Sequence, residues 1–108
     1  MTLTFDSLRS GNIQRQAEWV GGDQIDTSFR TIEIGGETGE LMEAMKKYLR
    51  AQKGIGGTVT SLTDIADEMA DVIIAIDLLA MDLKIDLNDA VAKKFNRTSD
   101  KYGLDTKL

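Results

Sequence analysis

Histidine, cysteine and proline are all missing from this chain of 108 residues. Without histidine there is no imidazole zinc site, no serine–histidine or cysteine–histidine nucleophile and no carboxylate–histidine di-iron bundle. Without cysteine neither disulfides nor thiolate metal sites contribute, which fits a reducing cytoplasm. Without proline nothing in the chain forbids long helices. No run of about 18 apolar residues occurs, so a membrane span is not expected. The first residues, MTLTFDSLRSGN, lack the basic-then-apolar layout of a secretory signal. Positive charge is also scarce. A net charge of −5 argues against a nucleic-acid polymer as partner, since that binding depends on clustered Lys and Arg. Polar chemistry here falls to carboxylates, Lys, Arg, amides and hydroxyls.

What is present suits one globular domain covering residues 1–108, with 42% hydrophobic and 29% charged residues. Hydrophobic spacing predicts four helices. The first runs loosely from Phe5 to Val20 with Ile13, Ala17 and Val20 as its apolar stripe. The second spans Phe29 to Gln52, capped by Thr27 or Ser28, with Ile32, Leu41, Met45, Tyr48 and Leu49 on its apolar side. A glycine-rich loop, KGIGGTVT, follows at 53–60. Ser61 with Asp64 resembles a capping box for the third helix, Leu62 to Leu83. That helix carries a broad apolar face of Ile65, Met69, Val72, Ile73, Ile76, Leu79 and Leu83, while Asp77 and Asp82 read as outward charges. The fourth runs from Leu87 to Tyr102 and is stopped by Gly103. The expected fold is all-α, a four-helix bundle-like protomer with helices two and three as an antiparallel central pair. Four short helices enclose little core, so completion by dimerisation is expected.

Acidic residues fall into register on the two central helices. Glu33, Glu37 and Glu40 follow i, i+4, i+7 spacing, as do Asp64, Glu68 and Asp71. Glu37–Glu40 is an ExxE pair and Glu68–Asp71 an ExxD pair, and an antiparallel arrangement brings the two pairs face to face. Converging carboxylates repel, and a divalent cation relieves this best. Oxygen ligands without histidine or cysteine select Mg²⁺, Mn²⁺ or Ca²⁺. A single pair of this kind is most often a solvated helix face. Here Glu68 and Asp71 sit inside DIADEMADVIIAIDLLAM, whose apolar neighbours argue against a wholly solvated face. Gly35, Gly36 and Gly39 weaken the second helix beside the proposed ligands, which reads as space kept for the close approach of the third helix or of a phosphate. A cationic stripe, Lys94, Arg97 and Lys101, runs along the fourth helix.

GGETGELMEAMKK followed by DIADEMADVIIAIDLLA resembles the MazG-like, all-α nucleoside triphosphate pyrophosphohydrolases, whose signature is ExxE, a variable stretch and ExxD. In this chain 27 residues separate Glu40 from Glu68. The continuation IDLNDAVAKKFNRTSDKYGL is similar to the small stand-alone members, including those of phages, so the resemblance covers Phe29 to Leu104. It implies that Glu37, Glu40, Glu68 and Asp71 hold Mg²⁺, with Mn²⁺ as a substitute. It also implies hydrolysis of a nucleoside triphosphate, a dNTP by expectation, between the α and β phosphates. Glu37 or Glu40 then helps to deprotonate water, and Lys93 or Lys94 and Arg97 stabilise phosphate charge. Many relatives carry a Glu directly before the first signature Glu. Here that position is Gly36, and Glu33 is the candidate substitute. Trp19, Phe29 and Arg30 are candidates to stack on a base, Asn12, Gln14, Gln16 or Asn96 to read its edge, and Lys101 to bind substrate. The implied setting is a homodimer or dimer of dimers in the cytoplasm of a bacterial cell or phage-infected host. The rival reading is a non-catalytic helical interaction protein whose acidic stripe is a docking face.

Overall fold

The computed structural model describes residues 2–108 and is built from four α-helices. Helix α1 (Phe5–Glu18) opens on Thr4, whose hydroxyl accepts from the Ser7 backbone N–H while Ser7 reaches back, a reciprocal cap. A 3₁₀ turn, Gly22–Gln24, leads to α2 (Thr27–Gln52). Asp26, rather than Thr27 or Ser28, caps α2 by accepting from the Phe29 N–H at 3.0 Å. Helix α3 (Leu62–Leu83) starts on the expected Ser61–Asp64 capping box. It ends at Lys84, which takes the left-handed conformation so that the Ile85 N–H can bond back to Ala80 O at 2.8 Å. Helix α4 (Leu87–Lys101) begins on Asp86 and is followed by Gly103 at φ +65°. No helix is long and apolar enough to cross a membrane among the described residues.

The central pair is antiparallel. Arg30 near the start of α2 faces Asp82 near the end of α3, and Lys47 near the end of α2 shares a cleft with Asp64 at the start of α3. Helix α1 packs on α3, and α4 rests on α1 with no substantial packing against α2.

The first helix is not held by the stripe its sequence suggested. Ile13 and Val20 are exposed, and the residue α1 buries is Asn12. Its grip on α3 is polar. Asp77, the residue that reads as an outward charge, is 0% exposed. Its carboxylate accepts from Arg9 Nε at 3.1 and 3.2 Å and from Asn12 Nδ2 at 2.8 Å. Arg9 also donates to Ile85 O at 2.9 Å, tying the α3–α4 turn to the same clasp. A buried carboxylate must be paired in this way, because desolvation without partners costs several kcal/mol.

The three glycines of α2 do not serve the close approach of α3, one of the two uses expected for them. A Cβ added at Gly35, Gly36 or Gly39 would meet no atom within 4 Å, so neither α3 nor any other element crowds that face. The helix runs through all three without a break.

Candidate active site

Both acidic pairs lie in the middle of their helices, where antiparallel packing sets Glu37 and Glu40 against Asp71 and Glu68. Each of the four offers one carboxylate oxygen, and those oxygens all lie within 4.8 Å of one another. Oxygens around an octahedral Mg²⁺ stand about 3 Å apart as neighbours and about 4 Å apart across the ion, so oxygens within 4.8 Å need only draw in slightly to share one ion. Glu37 Oε2 and Glu68 Oε2 are buried without any hydrogen-bond donor. Burial pushes the Glu37 carboxyl above its ordinary 4.5, and the charges of Glu40, Asp71 and Glu68 push it further. Burial likewise raises Glu68, followed by the charges of Glu40 and Asp71. Orphaned acceptors, repelling charges and a hard all-oxygen donor set together fit a divalent cation.

Two other acids of the same register serve elsewhere. Asp64 is spent on the cap of α3, accepting from Ser61 N at 3.0 Å and Thr60 Oγ1 at 3.2 Å, and these bonds hold its carboxyl below the usual value. Glu33 stands one turn before Glu37 and belongs to a cavity next to the cluster.

That cavity, about 340 Å³, has Glu37 and Asp71 on its wall and continues toward Glu33, Arg30, Phe29 and Trp19. Trp19 is 62% exposed and so is not a core residue. Arg30 is only 4% exposed. Its Nη2 donates to Gln16 Oε1 at 2.6 Å, and it stands 3.6 Å from Glu33 and 3.7 Å from Asp82. On the other side of the cluster a cleft of about 380 Å³ is bounded by Glu40, Glu68, Lys47 and the hydroxyl-bearing Thr58 and Thr60. Lys47 was not singled out from the sequence, although it falls at i+7 from Glu40 on the same stripe.

The cationic residues of α4 are not brought to the carboxylates within one protomer. Lys93 pairs with Asp89 on its own helix at 3.0 Å. Lys94 lies beside Ala90, Val91 and Phe95, and Lys101 sits 5.4 Å from the Tyr102 ring. Asn96 holds the C-terminal Leu108, donating to its carbonyl at 3.2 Å and accepting from its N–H at 2.8 Å. Among the described residues no hydrogen bond or ion pair joins Lys94, Arg97 or Lys101 to α2 or α3. Asn12, a candidate for reading a base, is committed to Asp77.

The model of the MazG nucleotide pyrophosphohydrolase domain matches residues 29–102, from the first turn of α2 to the end of α4. The chain belongs to this MazG family. No curated protein and no solved structure matches it. The carboxylate cluster lies within the MazG match, whereas α1, with Gln16, and Trp19 just after it lie outside.

Proposed function

We propose that this MazG protein hydrolyses a nucleoside triphosphate, taken to be a dNTP, between the α and β phosphates to give the monophosphate and pyrophosphate, in a reaction that needs Mg²⁺. The observation that carries the reading is the convergence of Glu37, Glu40, Glu68 and Asp71 with two buried oxygens lacking donors. An acidic docking face, the rival reading, has no need to bury unpartnered carboxylate oxygens.

The four carboxylates would hold Mg²⁺, which when bound neutralises phosphate charge, polarises the phosphorus centre and makes water more acidic. Glu37 is the better placed proton acceptor, since it lines the cavity and its raised affinity for protons suits it to take one from attacking water. Glu40, flanked by the Lys47 cleft, serves the metal and the leaving-group side. Phosphate charge also calls for protein cations. In the same protomer Lys47 shares a cleft with Glu40 and Glu68. Lys94 and Arg97, free of ion pairs among the described residues, are assigned to the site of a second copy in a homodimer, because α4 does not pack on its own α2.

The test measures pyrophosphate released from a panel of NTPs and dNTPs with and without Mg²⁺. Glu68→Gln is expected to lose at least about a hundredfold in turnover with helicity intact, given the loss typical when charge stabilisation is removed. Near-normal activity of that variant, or release independent of Mg²⁺, rejects the assignment.

A further inference from the structure

The cavity beside the metal cluster has features that the hydrolytic chemistry does not use. Its far end combines the faces of Trp19 and Phe29, both substantially exposed, with a polar floor. In that floor Arg30 is almost wholly buried and its Nε has no acceptor. Glu33 accepts no hydrogen bond from any described residue, and its Oε1 is buried without a donor. Its nearest cation, Arg30, is 3.6 Å away, beyond hydrogen-bonding reach. Gln16 fixes Arg30 from the other side at 2.6 Å, so the guanidinium is held as a brace beside Glu33. An acid left without a hydrogen-bond donor on the floor of an aromatic-walled cavity can accept N–H groups of a ligand.

We propose that Glu33 reads the base of the bound nucleotide by accepting its N–H groups, with Arg30 as the residue that positions it, and that this selects guanine. The inference rests on the nucleotide reading above and deepens it. With phosphates at the four carboxylates, Glu37 and Asp71 form the shared wall, so the base extends toward Trp19 and Phe29. Stacking on those rings is tolerant of sequence, since every base has a π face. Discrimination therefore falls to the polar edge. Neither oxygen of Glu33 accepts a hydrogen bond, and a turn of the carboxylate that brings Oε1 out from beside Arg30 lets it meet two N–H donors side by side. Guanine presents such a pair at N1 and N2. Thymine and uracil present N3–H between two carbonyl acceptors, and cytosine and adenine present an amino group beside a ring-nitrogen acceptor. None therefore offers two adjacent donor nitrogens, and each would set an acceptor against the carboxylate. Trp19, on the cavity wall, and Gln16, which holds Arg30, both lie outside the MazG match.

Trp19 is the only tryptophan, so its fluorescence reports on this cavity alone. The experiment titrates dGMP, dAMP, dCMP and dTMP into the protein with Mg²⁺ and follows quenching. The expected result is binding of dGMP at least about tenfold tighter than of dTMP, the discrimination of one good bidentate pair. Glu33→Gln, which replaces one acceptor oxygen by a donor, should bring the four affinities to within about twofold. Glu33→Asp keeps the carboxylate and should keep the order of preference with weaker binding. Circular dichroism and a cooperative melt establish that each variant is folded. Equal quenching by all four nucleotides, no quenching by any, or a preference untouched in Glu33→Gln each overturns the proposal. Binding and turnover are read separately. Pyrophosphate release without the guanine preference removes this inference and leaves the hydrolase. Selective quenching without release does the reverse.

Discussion

Glu37 and Glu68 each keep an oxygen buried without a donor at the point where four negative charges meet. Such an arrangement opposes folding unless something neutralises it, and the direction of its pH dependence follows. In the metal-free protein both acids bind protons more tightly when folded than their ordinary 4.5. Their protonated forms are tolerated below that value, and stability is lost as pH rises from 4.5 through the raised folded values. Asp64 acts the opposite way. Its capping bonds lower its folded value, so the stability it contributes is present above 3.8 and is lost as pH falls through that lower value. The two effects occupy separate windows. Melting temperatures measured from pH 4 to 8 in chelator should therefore decline toward neutral pH. Saturating Mg²⁺ should cancel the decline, adding about 2.7 kcal/mol at a hundred times its dissociation constant. A metal-free profile that is flat, or one that Mg²⁺ leaves unchanged, contradicts the metal assignment.

At the scale of elements, α1 is the piece that closes the base end of the cavity, and it is attached by charge rather than by grease. Replacing Arg9 with alanine strands Asp77 without its ion pair, a loss of about 3–5 kcal/mol for a buried carboxylate. The expected outcome is a detached α1. Amide exchange over 5–18 accelerates and Trp19 stops responding to nucleotide, while the α2–α3 pair still shows a Mg²⁺-dependent rise in melting temperature. Exchange confined to the wild-type rate would refute the clasp. This attachment was the least legible part of the chain. The Ser61–Asp64 cap could be read because both partners are three residues apart, and the carboxylate cluster because helical period and an antiparallel turn fix it. Asp77 could not, since Arg9 lies 68 residues away and a charge on an apolar face reads as solvated. Asp26, Thr27 and Ser28 can all cap a helix, so sequence alone could not choose among them. The glycines of α2 misled as to the third helix, while the space they leave stays open to a phosphate. Low propensity suggested a close approach, yet their face is open within the protomer.

For the whole molecule, the dimensions point to an unfinished unit. A compact chain of this length has a radius of gyration of about 13 Å, and this one has 17.1 Å. Ile65, Ala75 and Ala80 are its buried apolar residues among those described. Meanwhile Met69, Ile73 and Ile76 form an i, i+4, i+7 stripe along α3 that stays roughly half exposed, and Val91 and Phe95 repeat the pattern on α4. A lone protomer would leave these faces in water at about 25 cal/mol per Å². It would also leave Lys94 and Arg97 remote from any phosphate held at the carboxylates. Association of two copies would answer both needs if it covered the stripe and brought α4 of one chain toward the carboxylates of the other. Sedimentation equilibrium at micromolar concentration should give a dimer or a dimer of dimers. Ile73→Glu places a charge on the exposed stripe, where it costs the single protomer little, and should yield a monomer that keeps its helices but loses turnover. Wild-type protein that remains monomeric, melts cooperatively and hydrolyses nucleotide at full rate would show that one chain carries the whole site, with Lys47 as its phosphate cation.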